Sequence, residues 1–272
     1  GSGTRLWPAS RSSLPKQFIN FSKKKNLFYQ TLKRSKNLNL QKELLVISNR
    51  KHAFLCKNEA KELNLSPEYI LEETGRNTAS AVFFAALNSH PDTILCISPS
   101  DHWIDDNKNY KKIIKSGLQL AKKGQWVTFG IKPYEPSTDY GYIKTINKDN
   151  DTLKVEKFVE KPNLKKAIKF LNEGNYFWNS GIFLVTAKKC IDSFKKFQPE
   201  LVKKAELCWK KKLIYNDEKI LLKKYLDKVP SISLDYAIME FENDISLIPF
   251  DIEWSDLGNW DTLSKYILKN KK

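Results

Sequence analysis

Apolar positions along this chain follow two rhythms, short continuous runs and runs at helical spacing, and through the first half the two alternate. Residues 43–48 (ELLVIS), 69–72 (YILE), 93–98 (TILCIS) and 126–131 (WVTFGI) are short apolar runs suited to buried strands. Between them, residues 26–34, 52–63, 77–87 and 110–122 carry apolar side chains at helical intervals. In the last of these, Ile113, Ile114, Leu118 and Ala121 form one stripe. Such alternation predicts an α/β fold, a three-layer sandwich with a mixed, mostly parallel central sheet and helices on both faces.

The second half changes pattern. Short strands are predicted at YGYIKTI (140–146) and LKVEKFVE (153–160), separated by the turn-like Lys148-Asp149-Asn150. Helices are predicted at 164–171 and 188–209, a strand at 177–185, and a turn and helix over 254–268. Neither a linker nor an internal repeat divides residues 1–272, so one domain is expected.

With 272 residues, 41% of them hydrophobic and 12% aromatic, the chain can bury a large core. It contains no eighteen-residue apolar run and no basic-then-apolar leader, so a cytoplasmic protein with no membrane partner is expected. Cys56, Cys96, Cys190 and Cys208 stand far apart without ligand spacing, which predicts reduced thiols and no zinc; Cys56 and Cys96, inside apolar runs, are expected in the core. The net charge of +16 comes from lysines spread over many segments, such as Lys111-Lys112 and Lys210-Lys211-Lys212, with no reading motif beside them. No nucleic-acid partner is therefore expected, while a homo-oligomer is compatible with this surface.

Arginine is used sparingly. Only Arg5, Arg11, Arg34, Arg50 and Arg76 occur, so an arginine here suggests a need for planar, two-pronged hydrogen bonding. Arg5 lies in GSGTRLWPASRSSLPKQF, the opening segment, where Gly1 and Gly3 let the backbone approach phosphate oxygens. Arg5 and Lys16 add fixed and mobile positive charge. Two aspartates follow: Asp101 just past an apolar run, where ligands bind in open α/β sheets, and Asp256 in WSDLGNW. Either could equally cap a helix.

The spacing of the opening segment resembles the G-x-G-T-R-L-x-P-(x)n-P-K signature of sugar-1-phosphate nucleotidyltransferases. Trp7 and Lys16-Gln17-Phe18 look like its mannose-1-phosphate guanylyltransferase branch. The resemblance implies a Rossmann-like fold of the nucleotide-diphospho-sugar transferase type. GTP and mannose 1-phosphate would be the partners, with Mg²⁺ held by Asp101 and Asp256. Arg5, Lys16, Asp101, Lys161 and Asp256 would carry catalysis. Gly1, Gly3, Thr4, Arg5, Lys16 and Asp101 would line the nucleotide together with Glu72, Gly75, Arg76 and Asn77 of LEETGRNT, which resembles E-P-x-G-R-N-T. The Glu72 carboxylate could accept both the N1 and N2 hydrogens of guanine, whereas thymine or uracil would turn carbonyl oxygens toward it. YGYI, FVEKP and WNSGI match the family's sugar segments, implying that Gly141, Glu160, Lys161 and Asn179 hold the sugar phosphate.

Four positions depart from the family pattern. Glu73 and Ser80 replace common prolines and are expected to loosen the backbone; Asp139 stands for glycine and Asn259 for serine. Family members also carry an apolar strand ending Ala-Gly-Gly before this loop, so the chain is expected to lack its first strand and to leave a gap beside the site. Three readings stay open at this point: a mannose-1-phosphate guanylyltransferase, a nucleotidyltransferase for another base or hexose, and a non-catalytic sugar-nucleotide regulator on the same fold.

Overall fold

The computed structural model describes residues 6–21, 25–40, 43–105, 108–146 and 151–269. In chain order the elements are α1 (Leu27–Leu38), β1 (Leu45–Asn49), α2 (Ala53–Glu62), β2 (Glu68–Glu72), α3 (Asn77–Asn88), β3 (Ile94–Ile97), β4 (Trp103–Ile104), α4 (Lys108–Lys122) and β5 (Trp126–Ile131). They continue with β6 (Tyr142–Thr145), β7 (Leu153–Val159), α5 (Leu164–Glu173), β8 (Tyr176–Thr186), α6 (Ala187–Phe197) and α7 (Pro199–Lys210). The chain then runs through β9 (Leu213–Tyr215), β10 (Glu218–Leu221), α8 (Lys223–Leu226), β11 (Ile245–Pro249), β12 (Trp254–Ser255) and α9 (Trp260–Lys269). Side chains start several helices: Asn26, Asn163 and Thr186 accept the backbone N–H of Tyr29, Lys166 and Lys189 at the heads of α1, α5 and α6. The helix predicted over 188–209 is in fact two. Pro199 lacks the N–H that a continuous helix needs, and Gln198 before it turns out of the helical region, at φ −136° and ψ 52°.

The strands form a four-stranded sheet ordered β1-β2-β10-β9, a six-stranded sheet ordered β3-β8-β5-β11-β7-β6, and a ribbon of β12 and β4. The α/β class holds, but the balance of directions differs from the expected mostly parallel sheet. Among the described residues parallel pairing is confined to β1–β2, β2–β10 and β5–β11, and every other pair is antiparallel. A short apolar run reports that a strand is buried and says nothing of its neighbour's direction.

β5 shows how the layers form. All six of its residues are buried, and alternate side chains enter different cores. Trp126 belongs to the core cluster that holds Phe83 of α3 and Phe194 of α6, while Val127 and Phe129 belong to the one that holds Tyr110 and Ile114 of α4 and Phe170 of α5. α4 lies close to the sheet because Gly117 faces Leu184 and Val127; a Cβ there would stand 2.8 Å from Leu184 Cδ1. β1 and β3 end their sheets among the described residues, and α3 packs against both. On this edge Cys96 is exposed, contrary to the expected core position, whereas Cys56, Cys190 and Cys208 are buried; all four thiols are free.

Candidate active site

The ribbon decides where the two aspartates meet. β4 and β12 pair antiparallel with Trp103 opposite Ser255 and Ile104 opposite Trp254, and the Asp105 N–H donates to the Glu253 carbonyl (3.0 Å). Asp101 precedes β4 and Asp256 follows β12, so this register carries both to the same end of the ribbon. Lys16 closes the group. Its Nζ lies 3.0 Å from Asp101 Oδ2 and donates to the backbone carbonyl of Asp256. Lys16 is almost wholly buried because the short helical turn Lys16–Phe18 is anchored by Phe18, which packs on Phe28 at 5.2 Å between ring centroids. Burial alone would raise the Asp101 pKa; the charges of His102 and Lys16 outweigh it and hold the carboxyl at about 2. Burial lowers the His102 pKa, and the Trp254 indole N–H donates to its Nδ1 (3.2 Å).

The Asp256 loop is tightly specified. Leu257 is fully buried at φ 46°, a left-handed conformation that costs a branched residue energy and recurs at functional sites. Leu6, just after the opening glycines, packs in the same cluster as Leu257, Leu27 and Leu263. Gly258 donates its N–H to Asp256 Oδ1 (2.9 Å), and a Cβ there would stand 2.4 Å from Asp256 Oδ2. The Tyr140 hydroxyl, its pKa raised by burial and by Asp256, donates to the same Oδ1 at 3.3 Å. Two of the family departures meet here, since Asn259 Nδ2 donates to Asp139 Oδ2 (2.8 Å). The larger amide and the added carboxylate satisfy each other and tie the Asp256 loop to the Tyr140 loop.

On the sugar-segment side, Gly141, Glu160, Lys161 and Asn179 converge. The Asn179 backbone N–H donates to the Gly141 carbonyl (2.9 Å), and a Cβ on Gly141 would stand 2.5 Å from Glu160 Oε2. Glu160 Oε1 pairs with Lys161 Nζ at 3.0 Å. The register between β5 and β8 shifts between Thr128 and Gly130, opposite Asn179, and such irregularities re-aim side chains beside sites. Asp235, which the motifs did not mark, heads a single π-helical turn (Asp235–Met239) and accepts from Asn179 Nδ2 at 2.7 Å. Its only sequence signal is an acid placed directly before the apolar run YAIM.

The LEETGRNT segment is divided. Glu72, the last residue of β2, is buried; its Oε1 has no hydrogen-bond partner among the described residues, and burial raises its pKa to about 7. Arg76 is engaged elsewhere, donating to the carbonyls of Leu226 (2.9 Å) and Asp227 at the end of α8. Asn77 opens α3 at φ 65°, and a side chain on Gly75 would meet nothing within 4 Å. The expected loosening at Glu73 and Ser80 is not found. Glu73 accepts from Arg50 (2.7 Å) and from the Lys223 backbone (2.8 Å), while Ser80 Oγ donates to the carbonyls of Arg76 and Asn77 at 3.2 and 3.3 Å. Each side chain replaces the rigidity of a proline with bonds. Gly1, Gly3, Thr4 and Arg5 lie outside the described residues.

The profile of the Nucleotidyl transferase family matches residues 1–272. This chain belongs to that family. A mannose-1-phosphate guanylyltransferase of Sinorhizobium fredii is 39% identical to it over 271 residues, covering 97% of this chain and 53% of the relative. The chain thus spans about half the length of that relative. A Helicobacter pylori structure described as a mannose-6-phosphate isomerase superposes with a TM-score of 0.82 at 36% identity, covering 90% of this chain and 95% of the other. A Thermus thermophilus structure described as a mannose-1-phosphate geranyltransferase also gives 0.82, at 28% identity, covering 97% and 76%.

The donor set at this end of the ribbon fits a hard divalent ion. The Asp101 carboxylate and the Asp256 backbone carbonyl both meet the Lys16 ammonium, so the place already accepts positive charge, and the register of the ribbon sets both aspartates at its one end. Among the described residues no group of three or more His, Cys, Asp and Glu suited to an ion occurs, and two carboxylates leave the remaining positions to water and phosphate oxygens. No helix among the described residues is long and apolar enough to cross a membrane.

Proposed function

We propose that these residues act as one nucleotidyltransferase unit that transfers GMP from GTP to mannose 1-phosphate, giving GDP-mannose and pyrophosphate. The observation that carries the reading is the meeting of Lys16, Asp101 and Asp256, three charged residues from distant segments, at one end of the β4–β12 ribbon. An oxygen of the sugar phosphate attacks the α-phosphorus of GTP, a new P–O bond forms in line, and the bond to the β-phosphate oxygen breaks as pyrophosphate leaves. No protein nucleophile is needed, because the attacking group is already an anion; alignment and charge neutralisation lower the barrier.

Lys16 supplies buried positive charge to the triphosphate and the departing pyrophosphate, and Arg5 would add a second charge to the same phosphates. Asp101 and Asp256 would hold Mg²⁺, which when bound neutralises phosphate charge. Glu72 accepts the N1 and N2 hydrogens of guanine; a buried carboxylate oxygen without a protein partner supports this role. Glu160 and Asn179 take sugar hydroxyls, and Lys161, largely exposed beside Glu160, meets the sugar phosphate.

A pyrophosphate-release assay on the full-length natural protein with Mg²⁺, crossing GTP, dTTP and UTP with mannose 1-phosphate and glucose 1-phosphate, tests the reading. Release is expected with GTP and mannose 1-phosphate above every other combination. A different preferred pair would reassign base or sugar, and release from none would leave a binding protein on this fold.

A further inference from the structure

Asn179 is held in one orientation from two sides. Its Oδ1 accepts the Gly181 backbone N–H (3.0 Å), and its Nδ2 donates to Asp235 Oδ1 (2.7 Å). Turning the amide over would set its oxygen against a carboxylate and its NH₂ against an N–H, two repulsive contacts in place of two bonds. The second hydrogen on Nδ2 is what such an amide can offer a ligand. Across Gly141 stands Glu160, whose carboxylate can only accept. One donor and one acceptor of fixed sense therefore flank a glycine whose missing side chain leaves room between them.

We propose that Asp235 is a positioning residue for sugar selection: it locks the Asn179 amide so that an N–H, never the carbonyl, meets one sugar hydroxyl oxygen while Glu160 accepts the O–H of a neighbouring hydroxyl. The inference rests on the reading of this pocket as a hexose 1-phosphate site. Asp235 is partly accessible, yet burial first and the Glu160 charge second raise its pKa to about 6. A carboxylate held beside another carboxylate at that cost is in keeping with a role beyond filling space.

The test is a double-mutant cycle read by calorimetric binding of mannose 1-phosphate and glucose 1-phosphate to the full-length protein. Asp235→Ala and Asn179→Ala are each expected to weaken mannose 1-phosphate binding about tenfold and to reduce its margin over glucose 1-phosphate. The double variant should bind no more weakly than Asn179→Ala alone, because Asp235 acts through that amide. Asp235→Asn, which keeps an acceptor oxygen, should recover most of the loss. If alanine does not fold, Asp235→Leu, with the same branching at Cγ and without an acceptor, completes the same cycle. Additive losses, or wild-type binding in Asp235→Ala, would overturn the inference alone. If the unmutated protein binds neither sugar phosphate, the functional reading fails and this inference goes with it.

Discussion

The Lys16 end of the site and the Glu72 end solve the problem of buried charge in opposite ways. At the first, charge is matched within the protein: the Lys16 ammonium bonds to Asp101 and to the Asp256 carbonyl, and Asp101 is held ionised, near 2. At the second, Glu72 is buried with an oxygen that no described residue satisfies, and its pKa rises to about 7. A matched cluster is preorganised before any substrate arrives, whereas an orphaned acid is costly until a ligand pairs with it. The contrast supports the proposed division of labour, with chemistry at the Lys16 end and selection of the base at the Glu72 end.

The largest expected effect breaks the matched end. Lys16→Ala or Asp101→Asn should cut pyrophosphate release by about a hundredfold or more, since each removes one preorganised charge. Lys16→Ala should also lose about 2 kcal/mol of stability by urea denaturation, less than a fully buried pair would because a third of the Asp101 side chain meets solvent. Adding Asp101→Asn should restore part of that stability and none of the activity. Activity near normal in either single variant would remove this cluster from the mechanism.

Next comes the orphaned acid. Glu72 has a folded-state value of about 7, above the ordinary 4.5, so folding favours its protonated form. That stabilisation is whole below pH 4.5 and is lost as the pH rises through 7, a change of up to about 3 kcal/mol. Glu72→Gln should therefore be more stable than the unmutated protein at pH 8 and equal to it at pH 4, read by denaturation midpoints. In the opposite sense, GTP affinity should fall as the pH drops below 7, because only the carboxylate accepts both guanine hydrogens. Glu72→Gln should flatten that dependence and reduce the preference for GTP over dTTP about tenfold; unchanged selectivity would end the assignment.

Two smaller effects sharpen the boundary between the ends. Arg76→Ala should cost about 1–2 kcal/mol by releasing the carbonyls that end α8. If KM for GTP hardly moves, Arg76 belongs to the scaffold; a large rise would return it to the nucleotide. Asn259→Ser should cost about 1 kcal/mol or less through the lost bond to Asp139, and Asp139→Gly in that background should add little.

What was legible in the sequence was periodic. The helix expected over residues 77–87 is α3 (Asn77–Asn88), and the strand expected over 126–131 is β5 (Trp126–Ile131), because apolar spacing is set by local geometry. Segments without a clean period went unmarked, among them the β9–β10 hairpin, β11 and the π-helical turn bearing Asp235. Asp139 and Asn259 read as separate oddities, since nothing in their spacing says that they touch.

By itself the sequence determined which residue types were available and in what order: a glycine-rich opening with Lys16, one aspartate past an apolar run and another in WSDLGNW, and three segments that resemble the family's sugar segments. Only the tertiary structure decided that Asp101 and Asp256 share one end of a ribbon, that Arg76 turns away to α8, and that Asp235 holds Asn179. The physical reason is range. Helix and strand formation follow from neighbours a few residues apart, but a site needs contacts between segments as distant as Lys16 and Asp256, and those are settled when the sheets and their ribbon pack.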